Sequence, residues 1–402
     1  MVGNTTITST KQTIKKMVYG QEYVYERTLY FDRILKNTKY HYKYVGKEVD
    51  GVPKGVRSVL PRRSLVSGPF IPIMRIVRDM GIEDILKLHL TEPETWHILA
   101  LAISKVVRPL PQASISTWYE GTHLSVLMPA SLTSQRNSDL MEKVGLSDLY
   151  RKFSHDLVER LHPGDSLLYD ITFIPSYSSL DIFEYGHAKD HPDIEQVNLS
   201  MVMERSRRIP LYFEMYSGSI PDMVTLRRTK DQVKPMIPGI EIILDRGFFS
   251  MNNLKFLGGM RYITAARDNA ISAAENRMGR FLLVYMGDYS GSECLSIYRQ
   301  RDAIEKAFRS LKTDLDIFPL RNHKESTIRG ILFVSFISLI IRSALLRGME
   351  SSGLLKKYSL ERKILELEKI HMMEDQNGNL SELERTKRQR DILEALEGIS
   401  WW

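Results

Sequence analysis

Residues 19–48, "YGQEYVYERTLYFDRILKNTKYHYKYVGKE", alternate in part between aromatic or apolar positions and charged ones. A period near two predicts short strands with one wet face. The next stretch, "GVPKGVRSVLPRRSLVSGP" (51–69), is rich in Gly, Pro and Arg and reads as a linker. From 70 to about 162 the apolar positions recur at i, i+3, i+4, as in "FIPIMRIVRDMGIEDILKLHL" and "TWHILALAISKVV". That spacing predicts a bundle of helices punctuated at Gly81 and Pro109. After "HPGD" (162–165) the texture changes again. "SLLYDITFI", "IEQVNLSMVMERS" and "IPLYFEMYSG" read as strands, "DMVTLRRTKDQVKPM" as a helix and "IEIIL" as a strand. "RYITAA" and "RFLLVYM" are strand-like. A long helix follows, opened by the capping-box pattern Ser290-x-x-Glu293 and stopped near Pro319. The order β-β-β-α-β-α-β-α is a mixed α/β arrangement. From 326 onward the text is helical, with "GILFVSFISLII" (330–341) as a buried helix that meets Arg342 too soon to span a bilayer. The charged "EDQNGNLSELERTKRQRD" makes the tail peripheral.

Composition changes this picture in one place. The chain has 402 residues, 43% of them hydrophobic, with a net charge of +7. Between Lys11 and Arg63, thirteen Lys and Arg face five acids, so the basic excess belongs to the amino-terminal part. Basic residues interleaved with seven tyrosines fit either a nucleic-acid clamp or a small β-unit with a solvated cationic face. A single cysteine, Cys294, excludes a disulfide framework and fits a reducing compartment. No amino-terminal apolar signal and no membrane span are read from the sequence. The chemistry-bearing patterns of zinc sites, phosphate-binding GxxxxGK[ST] loops and GxSxG hydrolases do not occur.

Candidate chemistry starts from carboxylates in apolar text. Asp170 sits inside "LLYDITFI", on the same strand face as Leu168, Thr172 and Ile174. Asp245 ends the strand in "ILDRGFFS", followed by Arg246 and a glycine. A buried carboxylate is costly unless it is paired or holds a metal, although for an isolated Asp-Arg-Gly a strand that simply ends in solvent is the better reading of Asp245. In "YRQRDAIEKAFRSLK" (298–312), Ile304, Phe308, Leu311 and Leu315 form a core stripe. Tyr298, Arg301, Glu305 and Lys312 share a second stripe about a quarter turn away. Taken alone, that stripe is a solvated i, i+4 ladder. Taken together, acids offered from two strands and a helix are what hard divalent cations need.

Tyr298-x₂-Arg301-x₃-Glu305-x₆-Lys312 resembles the Y-R-E-K signature of prokaryotic insertion-sequence transposases with a DDE active site. "YDITFI" and "LDRGFFS" resemble the strands carrying the family's first and second aspartates. "GHAKDHPDIEQVNL" (186–199) and "IPLYFEMYSGSIPDMVTL" (209–226) resemble the segments between them. The resemblance covers 165–345 and extends more loosely over 20–160. It implies an RNase H-like catalytic core and two Mg²⁺ ions, with Mn²⁺ as a substitute. It implies cleavage of double-stranded DNA at terminal inverted repeats, then joining of the 3′ ends to target DNA by two-metal-ion chemistry. Carried over by position, Asp170, Asp245 and Glu305 become the metal ligands and catalytic residues. Tyr298, Arg301 and Lys312 become contacts to DNA phosphate, with Arg246 as a further DNA contact or a partner of Asp245. Only 60 positions separate Asp245 from Glu305, with the short polar piece "ARDNAISAAENRMG" where relatives carry a large insertion.

The organisation expected is a basic, tyrosine-rich DNA-binding segment (1–65), a helical region (66–162), the catalytic core (163–325) and a helical tail (326–402). A homodimer in the DNA complex and a cytoplasmic, nucleoid-associated location go with it. Two alternatives stay open: a metal-dependent nuclease that only nicks DNA, and a DNA-binding copy without catalysis. Asp165, Asp193, Asp222, His187 and His191 are read as structural or solvated residues, and Lys306 and Arg309 as solvated.

Overall fold

The computed structural model describes residues 11–18, 21–32, 37–49, 52–55, 62–164, 166–176, 180–185, 195–237, 239, 241–266, 282–317, 320 and 322–401. Pro319, Trp402, Asp165, the loop residues His187, His191 and Asp193, and all but the first residue of "ARDNAISAAENRMG" lie outside them. Two compact units emerge, residues 1–63 with 374–379, and residues 64–373 with 380–402.

The first unit is built on an antiparallel sheet of β1 (Lys11–Val18), β2 (Gln21–Asp32), β3 (Asn37–Val49) and β4 (Val52–Gly55), in that order. The alternating tyrosine text forms β2 and β3, as its period of two requires. The register shifts at Val24/Tyr25, a bulge that adds twist. The supposed linker 51–69 is not one throughout. It contributes β4 and, at its other end, β5 (Arg63–Val66), because short Val- and Leu-bearing pieces between the prolines and glycines find strands to pair with.

The second unit opens with helices α1 (Phe70–Asp79), α2 (Ile82–Lys87), α3 (Glu92–Val107), α4 (Gln112–Glu120), α5 (Leu124–Leu127), α6 (Ser134–Gly145) and α7 (Leu149–Leu161). Thr91 and Glu94 close a capping box on α3. Next come β6 (Ser166–Pro175), β7 (Gln196–Glu204), β8 (Pro210–Ser217), α8 (Asp222–Val233), β9 (Glu241–Leu244), α9 (Met251–Leu257), β10 (Arg261–Ala265) and β11 (Leu283–Met286). These strands make one mixed sheet in the order β11-β10-β9-β6-β7-β8. The central pairs β10–β9 and β9–β6 are parallel, and the outer pairs are antiparallel.

The single long helix expected after Ser290 is instead two. These are α10 (Gly291–Arg299) and α11 (Asp302–Arg309), followed by a π turn, Ser310–Asp314. The Ser290–Glu293 capping box is present, and Ile304, Phe308, Leu311 and Leu315 are buried. The chain continues with α12 (Glu325–Ser351), α13 (Leu360–Leu367), β12 (His371–Glu374), β13 (Leu380–Glu382) and α14 (Lys387–Glu397). The tail is therefore not wholly helical: β12 joins β13 and β5 in a small sheet.

Helix α12 organises the core. Apolar nearly all round, it packs on α3, α6 and β8. Phe333 meets Phe153 edge-on at 5.5 Å, and Phe336 lies 4.8 Å from Phe213. Among the described residues it is the one unbroken helix long and apolar enough to cross a membrane, but 83% of that apolar window is buried inside the protein. Its approach to α6 requires glycine on both sides. A Cβ on Gly330 would lie 2.1 Å from the Met141 carbonyl oxygen, and one on Gly145 1.7 Å from that of Ser326. Trp401, fully buried, is seated against Gly348 of the same helix.

Candidate active site

The parallel pairing of β6 with β9 sets the first two carboxylates. Tyr169 is in register with Leu244, so the next residues, Asp170 and Asp245, stand at the same level on neighbouring strands. Asp245 keeps extended backbone (φ −71°, ψ 160°) before the chain turns into a 3₁₀ turn at Arg246–Phe248. That turn is pinned by Phe248, buried edge-on against Tyr169 at 5.0 Å. The Tyr169 hydroxyl donates in turn to Thr225 of α8 at 3.0 Å. Thr264 of β10 donates to the Asp245 carbonyl at 3.3 Å. The strand thus ends where the sheet still holds its backbone, and the carboxylate is delivered at a strand carboxyl end, a common place for chemistry in α/β sheets.

The third carboxylate comes from α11. Where α10 stops, Gln300 and Arg301 turn the chain, and Arg301 is the amino-terminal cap of α11. Its guanidinium faces all three acids. Nη2 is 2.8 Å from Glu305 Oε1 and 3.5 Å from Asp245 Oδ1, and Nη1 is 3.8 Å from Asp170 Oδ2. The Tyr298 ring lies under the same guanidinium, 5.7 Å from its carbon. Burial is the main cause raising the Tyr298 hydroxyl pKa, with Asp245 adding to it.

The electrostatics follow from burial. The Asp170 side chain is 15% exposed, and desolvation is the largest cause pushing its pKa up, to about 7. Its Oδ1 accepts from the Ile171 amide at 2.9 Å and Arg301 stands near, both opposing the rise, while Asp245 and Glu305 add to it. A site that resists its own negative charge in this way gains from added positive charge. Three carboxylate donors with all-oxygen chemistry fit a hard divalent ion.

Two predicted residues remain, Arg246 and Lys312. Arg246 is exposed, in the turn beside Asp245. Lys312 lies in the π turn, its ammonium 4.4 Å from the centre of the Phe173 ring on β6. The π turn disturbs the helical stripe expected from the sequence, since Lys312 no longer follows Glu305 along a continuous α-helix. Both ends of the turn are held by a residue that sequence reasoning passed over except as the end of an apolar run. Buried Arg342 of α12 donates from Nε to Ser310 Oγ and from Nη2 to Asp314 Oδ2, each at 2.7 Å. Ser310 Oγ also donates to Asp314 at 2.8 Å. A lone arginine inside an apolar helix was the available signal.

A second acidic group lies elsewhere. Among the described residues, His155, Asp156 and Glu159 on α7 offer ligand atoms within 4.8 Å of one another. Asp156 is engaged by His89 at 2.6 Å. No strand contributes to this surface cluster, which is distinct from the Asp170 centre.

Residues 162–341, which contain every residue of the centre, match the model of the family described as the transposase DDE domain. The match supports a DDE transposase. No curated protein matches the chain. Among solved structures, the chain is similar to a piggyBac transposase synaptic complex with hairpin DNA, determined by cryo-EM. The identity is 12% and the TM-score 0.43, over 75% of this chain and 79% of that one.

Proposed function

We propose that this chain is a DDE transposase whose RNase H-like core is the mixed sheet with α10 and α11. Asp170, Asp245 and Glu305 would hold two divalent ions, Mg²⁺ by the chemistry of the donors. The observation that carries the reading is one cation facing three carboxylates from two adjacent parallel strands and a helix, inside the segment that matches the transposase DDE domain. Divalent ions bound there supply activation of an attacking oxygen and stabilisation of the leaving oxygen at phosphorus.

The protein's own part is binding and orientation. Arg301 offers a planar fork suited to phosphate oxygens, and Tyr298 beneath it holds that fork in place. Arg246, next to Asp245 in the chain, and Lys312 are proposed to add positive charge for the backbone of double-stranded DNA. Water and then a DNA 3′-hydroxyl serve as nucleophiles in turn, so no covalent enzyme intermediate is required. Terminal inverted repeats are the proposed substrate, and a homodimer the proposed form that pairs two ends.

The test is a joining assay, in which the protein meets Mg²⁺, duplex carrying both flanks of its own gene and a plasmid target. Flank ends joined to plasmid support the transposase reading. Cut flanks without joined product would assign a nuclease, and binding without either would assign a chain that only grips DNA.

A further inference from the structure

The amino-terminal sheet has two faces of different character. Cross-strand partners share a face, and the register places Lys16 opposite Tyr23, Tyr23 opposite Lys47, Tyr25 opposite Tyr44 and Arg27 opposite Tyr42. In β1, β2 and β3 the described residues of this face include three cations, Lys16, Arg27 and Lys47, and no acid. The other face carries Lys15 and Lys43 together with Glu22 and Glu26. Lys43 is opposite Glu26, and Lys15 is 3.7 Å from Glu22. Positive charge is therefore compensated on one side and left in excess on the other.

The cations of the first face are also ordered. Lys16 sits over the rings of Tyr42 (4.4 Å) and Tyr25 (5.6 Å), Arg27 over Tyr40 (4.8 Å) and Lys47 over Tyr23 (5.6 Å). The rings lean on one another too, with Tyr25–Tyr44 centroids at 5.4 Å and Tyr40–Tyr42 at 6.3 Å. Tyr40, Tyr42 and Tyr44 are exposed. Four of the five rings carry a cation at 4.4–5.6 Å. They act as a floor that holds ammonium and guanidinium groups in fixed places, reducing the entropy lost when those groups meet an anion.

We propose that the tyrosine-floored face of β1, β2 and β3 docks the phosphate backbone of double-stranded DNA, and that the opposite face of the same sheet does not. The inference deepens the transposase reading by assigning a DNA-holding surface outside the catalytic centre. Charge complementarity commits it to a duplex: phosphates are met by ordered cations, and bases are not required to leave their stack.

The experiment measures anisotropy of labelled duplex with the full-length protein over a salt series. The flank sequence, an unrelated duplex and the matching single strand are compared. The Lys16→Gln/Arg27→Gln/Lys47→Gln variant is expected to bind duplex about tenfold or more weakly, and to lower the log–log salt slope by about 2 to 3, at about 0.9 per phosphate contact. Each single substitution is expected to lower it by about one, which keeps the test usable if the triple variant misfolds. Lys15→Gln/Lys43→Gln is expected to leave affinity and slope unchanged. Equal losses from the two faces, or none from the first, would overturn the proposal. So would tighter binding of the single strand that is abolished by Tyr42→Leu, which would make the face a stacking surface. Wild-type binding of the predicted kind without any cleavage would sink the transposase reading and leave this one standing.

Discussion

Asp170 concentrates the energetics of the site in one residue. Its folded-state pKa lies above the ordinary 3.8, at about 7, chiefly because burial penalises its charge. The native state thus holds this proton more tightly than the unfolded chain, and stability from this group falls as pH rises from near 4 to near 7. Asp170→Asn is expected to stabilise the metal-free protein at pH 8, by on the order of 4 kcal/mol at most, at about 1.4 kcal/mol per unit of pKa. The gain should vanish near pH 4 in urea melts. Added Mg²⁺ or Mn²⁺ should raise the melting temperature of the wild type and not of the variant. At Arg301, a divalent ion must share or displace the guanidinium that faces all three acids. Arg301→Gln is expected to tighten metal binding by the DNA-free protein, read by calorimetry, while cutting DNA cleavage by about 10²-fold or more. Both aspartates were legible in the sequence because a carboxylate in apolar text is conspicuous. Arg301's place among them was not, because helical spacing gives a stripe but not the turn at Gln300 that redirects it.

Among elements, the informative departure is the π turn after α11. Continuous helical periodicity puts Lys312 on the stripe of Glu305, and the observed turn breaks that continuity through Arg342, Ser310 and Asp314. No local pattern in "FRSLKTDL" specifies such a turn, since the residue that holds both its ends lies on a helix 28 residues beyond Asp314. Ser310→Ala removes two of these hydrogen bonds and is expected to cost about 1 kcal/mol of stability. It should also weaken DNA engagement through Lys312, seen as a higher KM for flank duplex with metal binding intact. The α6–α12 contact is likewise a long-range fact. Gly330→Ala is expected to destabilise the protein by about 1–3 kcal/mol in chemical melts, because the methyl group meets the Met141 backbone. By contrast, the six strands of the mixed sheet could be read directly because each lies in an apolar run bounded by Gly, Pro or charged residues, and the buried character of α12 because its apolar run is long.

At the scale of the whole molecule, sequence charge located the basic excess in the amino-terminal segment, but the two-faced sheet needed the strand register. The stretch read as a linker gives β4 and β5, and the tail read as helical gives β12 and β13. Such short strands carry too few residues for a period to show and exist only through distant pairing. The proposed function requires the three carboxylates to form one metal-dependent centre for phosphoryl transfer on DNA. Its most direct test is cleavage of duplex bearing both flanks of the gene, by wild type and by Asp245→Asn, in Mg²⁺ and in EDTA. Cuts at the flank boundaries are expected from the wild type in Mg²⁺ alone, lost in the variant although it still binds. Equal cutting by Asp245→Asn, or cutting that survives EDTA, would contradict it.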